Sequence, residues 1–143
     1  MPGILVGIDG SDNSRKALEW AVREAGLRGM PLTVLAVHQV ASNHWTGDPE
    51  KYASDAPETE MVRQAAEDAV QKAVSQVGEP APTSVTVRAV SGVAAHELVA
   101  ASADADLVVV GSHGGGGFAR MVLGSVSTQV ASHAQSPVVV IRQ

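Results

Sequence analysis

Residues 107–117 read Leu-Val-Val-Val-Gly-Ser-His-Gly-Gly-Gly-Gly, an apolar run that breaks abruptly into glycine. Four apolar β-formers without polar alternation suit a strand covered on both faces, as the strands of parallel sheets are. Glycine admits φ > 0 and has no Cβ to keep a ligand away from backbone N–H groups. A helical pattern resumes near Ser125. A strand, a glycine loop and a helix N-terminus together make an anion cradle, because the first N–H groups of a helix lack intrahelical partners and the macrodipole favours negative charge there. Four consecutive glycines also suit a plain surface loop, and the local sequence leaves both readings open.

Working outward, the same kind of strand recurs. Ile4 to Asp9, Leu32 to His38, Ser84 to Val90 and Val138 to Ile141 join Leu107 to Val110 as strand candidates. Amphipathic helices separate them. Ala17, Leu18, Ala21, Val22 and Ala25 form one stripe, with Ser11 or Asp12 placed to cap it and Gly29 and Pro31 to end it. Met61, Ala65, Ala69 and Ala73, with Val62, Ala66, Val70 and Val74, pattern a second helix, stopped by the turn residues Gly78 to Pro82. Leu98 and Val99 lie in a third, near Val93 to Ala101, and Val126, Val130 and Ala134 in a fourth. Strands alternating with helices predict an α/β doubly wound parallel sheet of five strands with right-handed crossovers.

Composition narrows the function classes. A chain of 143 residues, 45% hydrophobic, suits one domain spanning 1–143. Aromatics are only 3%, so aliphatic residues must build the core. Without cysteine there is no disulfide framework, Cys-ligated zinc, iron–sulfur cluster or thiol catalysis within the chain. The formal charge is −5 and the ten basic residues are scattered, which argues against a nucleic acid polymer as partner. Acid gathers between Asp48 and Asp68, read as a solvated loop and helix face. No leader pattern and no apolar run of membrane-spanning length is visible, so the expected location is the cytoplasm, with no membrane partner.

Gly111-x2-Gly114-x9-Gly124-Ser125 matches the nucleotide-binding pattern of the universal stress protein family at every fixed position, and the chain resembles an ATP-binding member of that family. Ile4-Leu-Val-Gly-Ile-Asp9-Gly10-Ser11 is similar to the family's opening strand and turn, Ser91-Gly92 to its middle segment, and Ser136-Pro137-Val-Val-Val-Ile141 to its closing strand. Ala41 to Ala56 have no recognisable counterpart. The resemblance implies a Rossmann-like fold of the adenine nucleotide alpha hydrolase-like type, with strand order 3-2-1-4-5. Chain direction then reverses between strands 1 and 4, where open α/β sheets take ligands beyond the carboxyl ends of their strands. Asp9 and the glycine loop would face one crevice.

For the site, the resemblance implies cofactor-binding roles for Asp9, Val37, Gly111, Gly114, Gly124 and Ser125. Asp9 would hold ribose or Mg²⁺, or else bond its own turn. Val37 would offer its backbone to adenine. Gly114, Gly124 and Ser125 would hold phosphates, and Ser125 also suits the N-cap of the fourth helix. Arg120 reads equally as a phosphate contact or a solvated side chain, and His113 as a loop side chain. Trp45 and Tyr52 suit anchors of a long connection that could close over the site. A Walker lysine, a Rossmann glycine fingerprint after strand 1 and a receiver-type acidic cluster are missing from the sequence. No catalytic or metal residue is named. The expected function is an ATP-binding stress-response regulator, with ATP, with or without Mg²⁺, as cofactor. A slow ATPase or phosphotransferase and a cAMP binder are the alternatives. The strand Val138 to Ile141, apolar and uninterrupted by charge, would lie at an edge and is expected to pair with a second copy in a homodimer, as family resemblance also implies.

Overall fold

A computed structural model describes residues 3–39, 56–112 and 124–142. Its elements run β1 (Ile4–Ile8), α1 (Asp12–Arg28), β2 (Leu32–Gln39), α2 (Ala56–Val77), β3 (Val85–Gly92), α3 (Ala94–Ser102), β4 (Leu107–Gly111), α4 (Ser125–His133) and β5 (Val138–Ile141). All strand pairs are parallel, in the order β3-β2-β1-β4-β5. Ile4 pairs with Leu32 on one side and Leu107 on the other.

Side-chain alternation divides the core in two. Ile4, Val6, Leu32, Val34, Leu107 and Val109 pack with the stripe of α1 and with Val70 and Ala73 of α2. Leu5, Leu35, Val108 and Val110 face the other way and pack with Leu98 of α3 and Val130 of α4. The central strands β1 and β4 thus carry no polar side chain, because both of their faces are covered. Each fully buried Val or Leu contributes about 1.5–3 kcal/mol relative to exposure.

Local chemistry sets the helix ends. Ser11, not Asp12, is the N-cap of α1, and its Oγ accepts the Ser14 N–H at 3.2 Å. At the other end Gly29 adopts the left-handed conformation and its N–H reaches the Ala25 and Gly26 carbonyls. The second helix corrects the sequence reading: Ala66, Val70 and Ala73 are buried, whereas Met61 is 71% exposed and Ala65 lies outside as well. Positions 62, 66, 69, 70, 73, 74 and 77 form the inward face, so of the eight patterned residues only Met61 and Ala65, at the start of their stripe, fall outside it. On the outer face Arg63 bonds both Glu60 and Glu67, and its hydrogen bond holds the exposed Glu60 carboxyl below the usual range. Among the described residues no helix is long and apolar enough to cross a membrane.

Candidate functional site

The carboxyl end of the sheet brings the sequence-predicted residues of β1 and β4 toward each other. β1 stops at Ile8, so Asp9 stands one residue beyond the strand and is exposed. Its N–H donates to Ser14 Oγ at 3.2 Å, and its Oδ1 accepts the Ser11 N–H at 2.9 Å. The turn role anticipated for this carboxylate is therefore present, and it orients the group. Gly10, at φ 86°, supplies the left-handed turn that follows, which a residue with a Cβ rarely adopts.

Gly111 ends β4, and α1 comes so close that no side chain fits between them. A Cβ on Gly111 would lie 2.8 Å from Asn13 Oδ1 and 3.2 Å from the Asn13 carbonyl oxygen. The next residue, Ser112, is buried and joins four segments. Its N–H donates to the Ile141 carbonyl at 2.8 Å, and its Oγ donates to Asn13 Oδ1 at 3.3 Å. Its carbonyl accepts the Gly124 N–H at 2.5 Å and the Ser127 Oγ at 3.2 Å. Ser112, directly after β4, and Gly124, directly before α4, are thus bonded to each other.

Gly124, not Ser125, is the N-cap of α4. It has extended backbone (φ −74°, ψ 170°), which leaves Ser125 as the first helical residue, exposed, and makes no side-chain cap. First-turn N–H groups without a side-chain cap keep their affinity for an anion. Val37 lies one residue past the last β1–β2 pair, Ile8 with Ala36, and pairs with Val90 on its other side. Gly114, His113, Arg120, His44, Trp45 and Tyr52 lie outside the described residues. Among the described residues no group of three or more His, Cys, Asp or Glu could hold a metal ion.

Three polar residues that carry this geometry were missed from sequence. Asn13, Ser112 and Ser127 are buried, and Asn13 Nδ2 also donates to the Ile141 carbonyl at 3.1 Å. Two had a signal. Asn13 lies four residues before Ala17 on the apolar stripe of α1, and Ser127 three before Val130 in α4. A polar residue on an apolar stripe needs a buried partner. Ser112 has no periodic signal.

A model of the universal stress protein family matches residues 2–142. A universal stress protein of Mycolicibacterium smegmatis is 36% identical over 139 residues, covering 97% of this chain and 47% of that protein. The chain therefore spans about half the length of the curated relatives it matches. Among solved structures, universal stress protein UspA from Lactobacillus plantarum superposes with a TM-score of 0.80 at 26% identity, over 98% of this chain and 97% of its own. A universal stress protein in complex with cAMP gives 0.66 at 27% identity, over 98% and 95%. One from Archaeoglobus fulgidus in complex with dAMP gives 0.61 at 25% identity, over 99% and 97%.

Proposed function

The chain belongs to the universal stress protein family, and from that premise we propose that it is an ATP-binding regulator whose site lies at the carboxyl ends of β1 and β4. The observation that carries this reading is the direct bond between Ser112 and Gly124, which brings the uncapped start of α4 to the end of β4 beside Gly111. Backbone N–H groups and a helix dipole hold phosphates without a cluster of basic side chains, in keeping with a chain of net charge −5. The adenine nucleotides in two related structures, cAMP and dAMP, support the ligand class.

In this reading Gly114, Gly124 and Ser125 frame the phosphates, with the first-turn N–H groups of α4 as donors, Gly111 lets the chain pass close to α1 at the start of the motif, Asp9 holds the ribose, and Val37, past the end of the β1 ladder, offers backbone to the adenine. Mg²⁺ binds through one or two carboxylates together with substrate phosphates. The exposed, turn-oriented carboxylate of Asp9 fits that demand, and Mg²⁺ there would neutralise phosphate charge. The whole assignment covers one domain in the cytoplasm, working as a homodimer through β5, with binding rather than turnover as its task.

Mass spectrometry of small molecules released from the purified protein tests the reading, with stoichiometric ATP as the expected result. A protein that carries and binds no adenine nucleotide overturns it. The complex with cAMP favours one second reading, a cAMP binder, which would show as tighter binding of cAMP than of ATP. ADP accumulating near the median enzyme rate of about 10 s⁻¹ would make the protein an ATPase instead.

A further inference from the structure

We propose that Asn13 is a positioning residue for the glycine motif, holding Ser112 against the end of β5 and so setting where Gly111 and Gly124 stand. The residue is 2% exposed, and its planar amide faces two different demands. Nδ2 donates to the Ile141 carbonyl at 3.1 Å, while Oδ1 accepts the Ser112 hydroxyl at 3.3 Å. Only a side chain with a donor and an acceptor on separate atoms meets both. Aspartate, of nearly the same shape, turns an acceptor toward the Ile141 carbonyl when ionised, and alanine meets neither demand.

The effect passes outward through Ser112. That residue is bonded to Ile141 through its N–H, and its carbonyl carries both Gly124 N–H and Ser127 Oγ. Gly111, directly before it, is packed so tightly on Asn13 that a Cβ would stand 3.0 Å from the amide carbon. Asn13 therefore touches one end of the glycine motif and is one residue removed from the other. The inference rests on the nucleotide reading for its ligand consequence alone; the placement of Gly124 is independent of it.

The test compares Asn13→Ala, Asn13→Asp and the milder Ser112→Ala, which removes only the hydroxyl, with Ser102→Ala as control. Ser102 is buried at the other end of the sheet, where its Oγ accepts the Gln135 N–H at 2.9 Å. Two measurements are made on each folded variant: hydrogen exchange of the Gly124 amide without ligand, and affinity for ATP, cAMP and dAMP. In both Asn13 variants Gly124 protection falls about tenfold, as does affinity for whichever nucleotide the unmutated protein binds, roughly the effect of one buried hydrogen bond. Ser112→Ala shifts both in the same direction, and Ser102→Ala loses stability with neither change. Unaltered Gly124 exchange in Asn13→Ala, or in Ser112→Ala should the former not fold, overturns the proposal, and so does faster exchange with unaltered affinity. If the unmutated protein binds none of the three nucleotides, the functional reading falls and Gly124 exchange alone decides the role of Asn13.

Discussion

One added methyl group measures how closely α1 sits on the end of β4. At Gly111 it would meet Asn13 Oδ1 at 2.8 Å, and because Asn13 is held by Ile141 and Ser112 it cannot simply swing away. Gly111→Ala is expected to lower stability by about 1–3 kcal/mol, the usual cost of overpacking, read as an earlier urea midpoint; an unchanged midpoint would show that α1 yields freely. The two serines at helix starts separate in the same way. Ser11→Ala removes a working cap and should cost about 1 kcal/mol, whereas Ser125→Ala removes none, since Gly124 holds the cap position. Ser125→Ala should therefore leave the melting temperature in place and weaken ATP binding measured by calorimetry; a loss of stability with full affinity would reverse its role. At this scale the turn bond of Asp9 and the left-handed stop at Gly29 were legible in the sequence because their chemistry is local. Asn13 was legible only as a polar interruption of an apolar stripe.

Helix α2 shows why element boundaries were easier to read than element phase. Its alanines at 65, 66, 69 and 73 fall on more than one side of the cylinder, and alanine is too small to declare which side is inward. Packing against β2 and β3 resolved the choice in favour of Ala66, Val70 and Ala73 and put Met61 in solvent. Met61→Gln should thus change stability by no more than about 0.5 kcal/mol, while Val70→Ala, which empties part of the packed face, should cost roughly 1–2 kcal/mol. Equal effects in thermal unfolding would mean that the helix is rotated from the described face. Stops such as Gly29 needed no tertiary context, because a left-handed C-cap is chosen by the backbone itself.

Across the molecule, β5 is an edge strand of the sheet, and the proposed dimer rests on it. Val108 N–H donates to the Pro137 carbonyl and Ser112 N–H to that of Ile141, so odd-numbered residues of β5 bond inward to β4. By strand alternation the N–H groups of Val138 and Val140 point away from β4, the side on which a second copy would pair. Val140→Pro removes one outward donor while sparing the β4 ladder, and edge positions tolerate proline. Light scattering should then find a dimer for the unmutated protein and a monomer for the variant, with melting nearly unchanged; a monomer in both would end the dimer proposal and leave the nucleotide site standing. The sequence by itself determined that five strands alternate with four helices, because burial on both faces demands unbroken apolar runs and helix ends obey local capping chemistry. It did not determine strand order, since propensity alone does not choose which of five β-forming segments pair; the family pattern implied β3-β2-β1-β4-β5 and the structure bears it out. Only the tertiary structure decided that Asn13 meets Ser112 and Ile141, 99 and 128 residues away in the chain, because a buried amide is satisfied by whatever the completed sheet brings beside it.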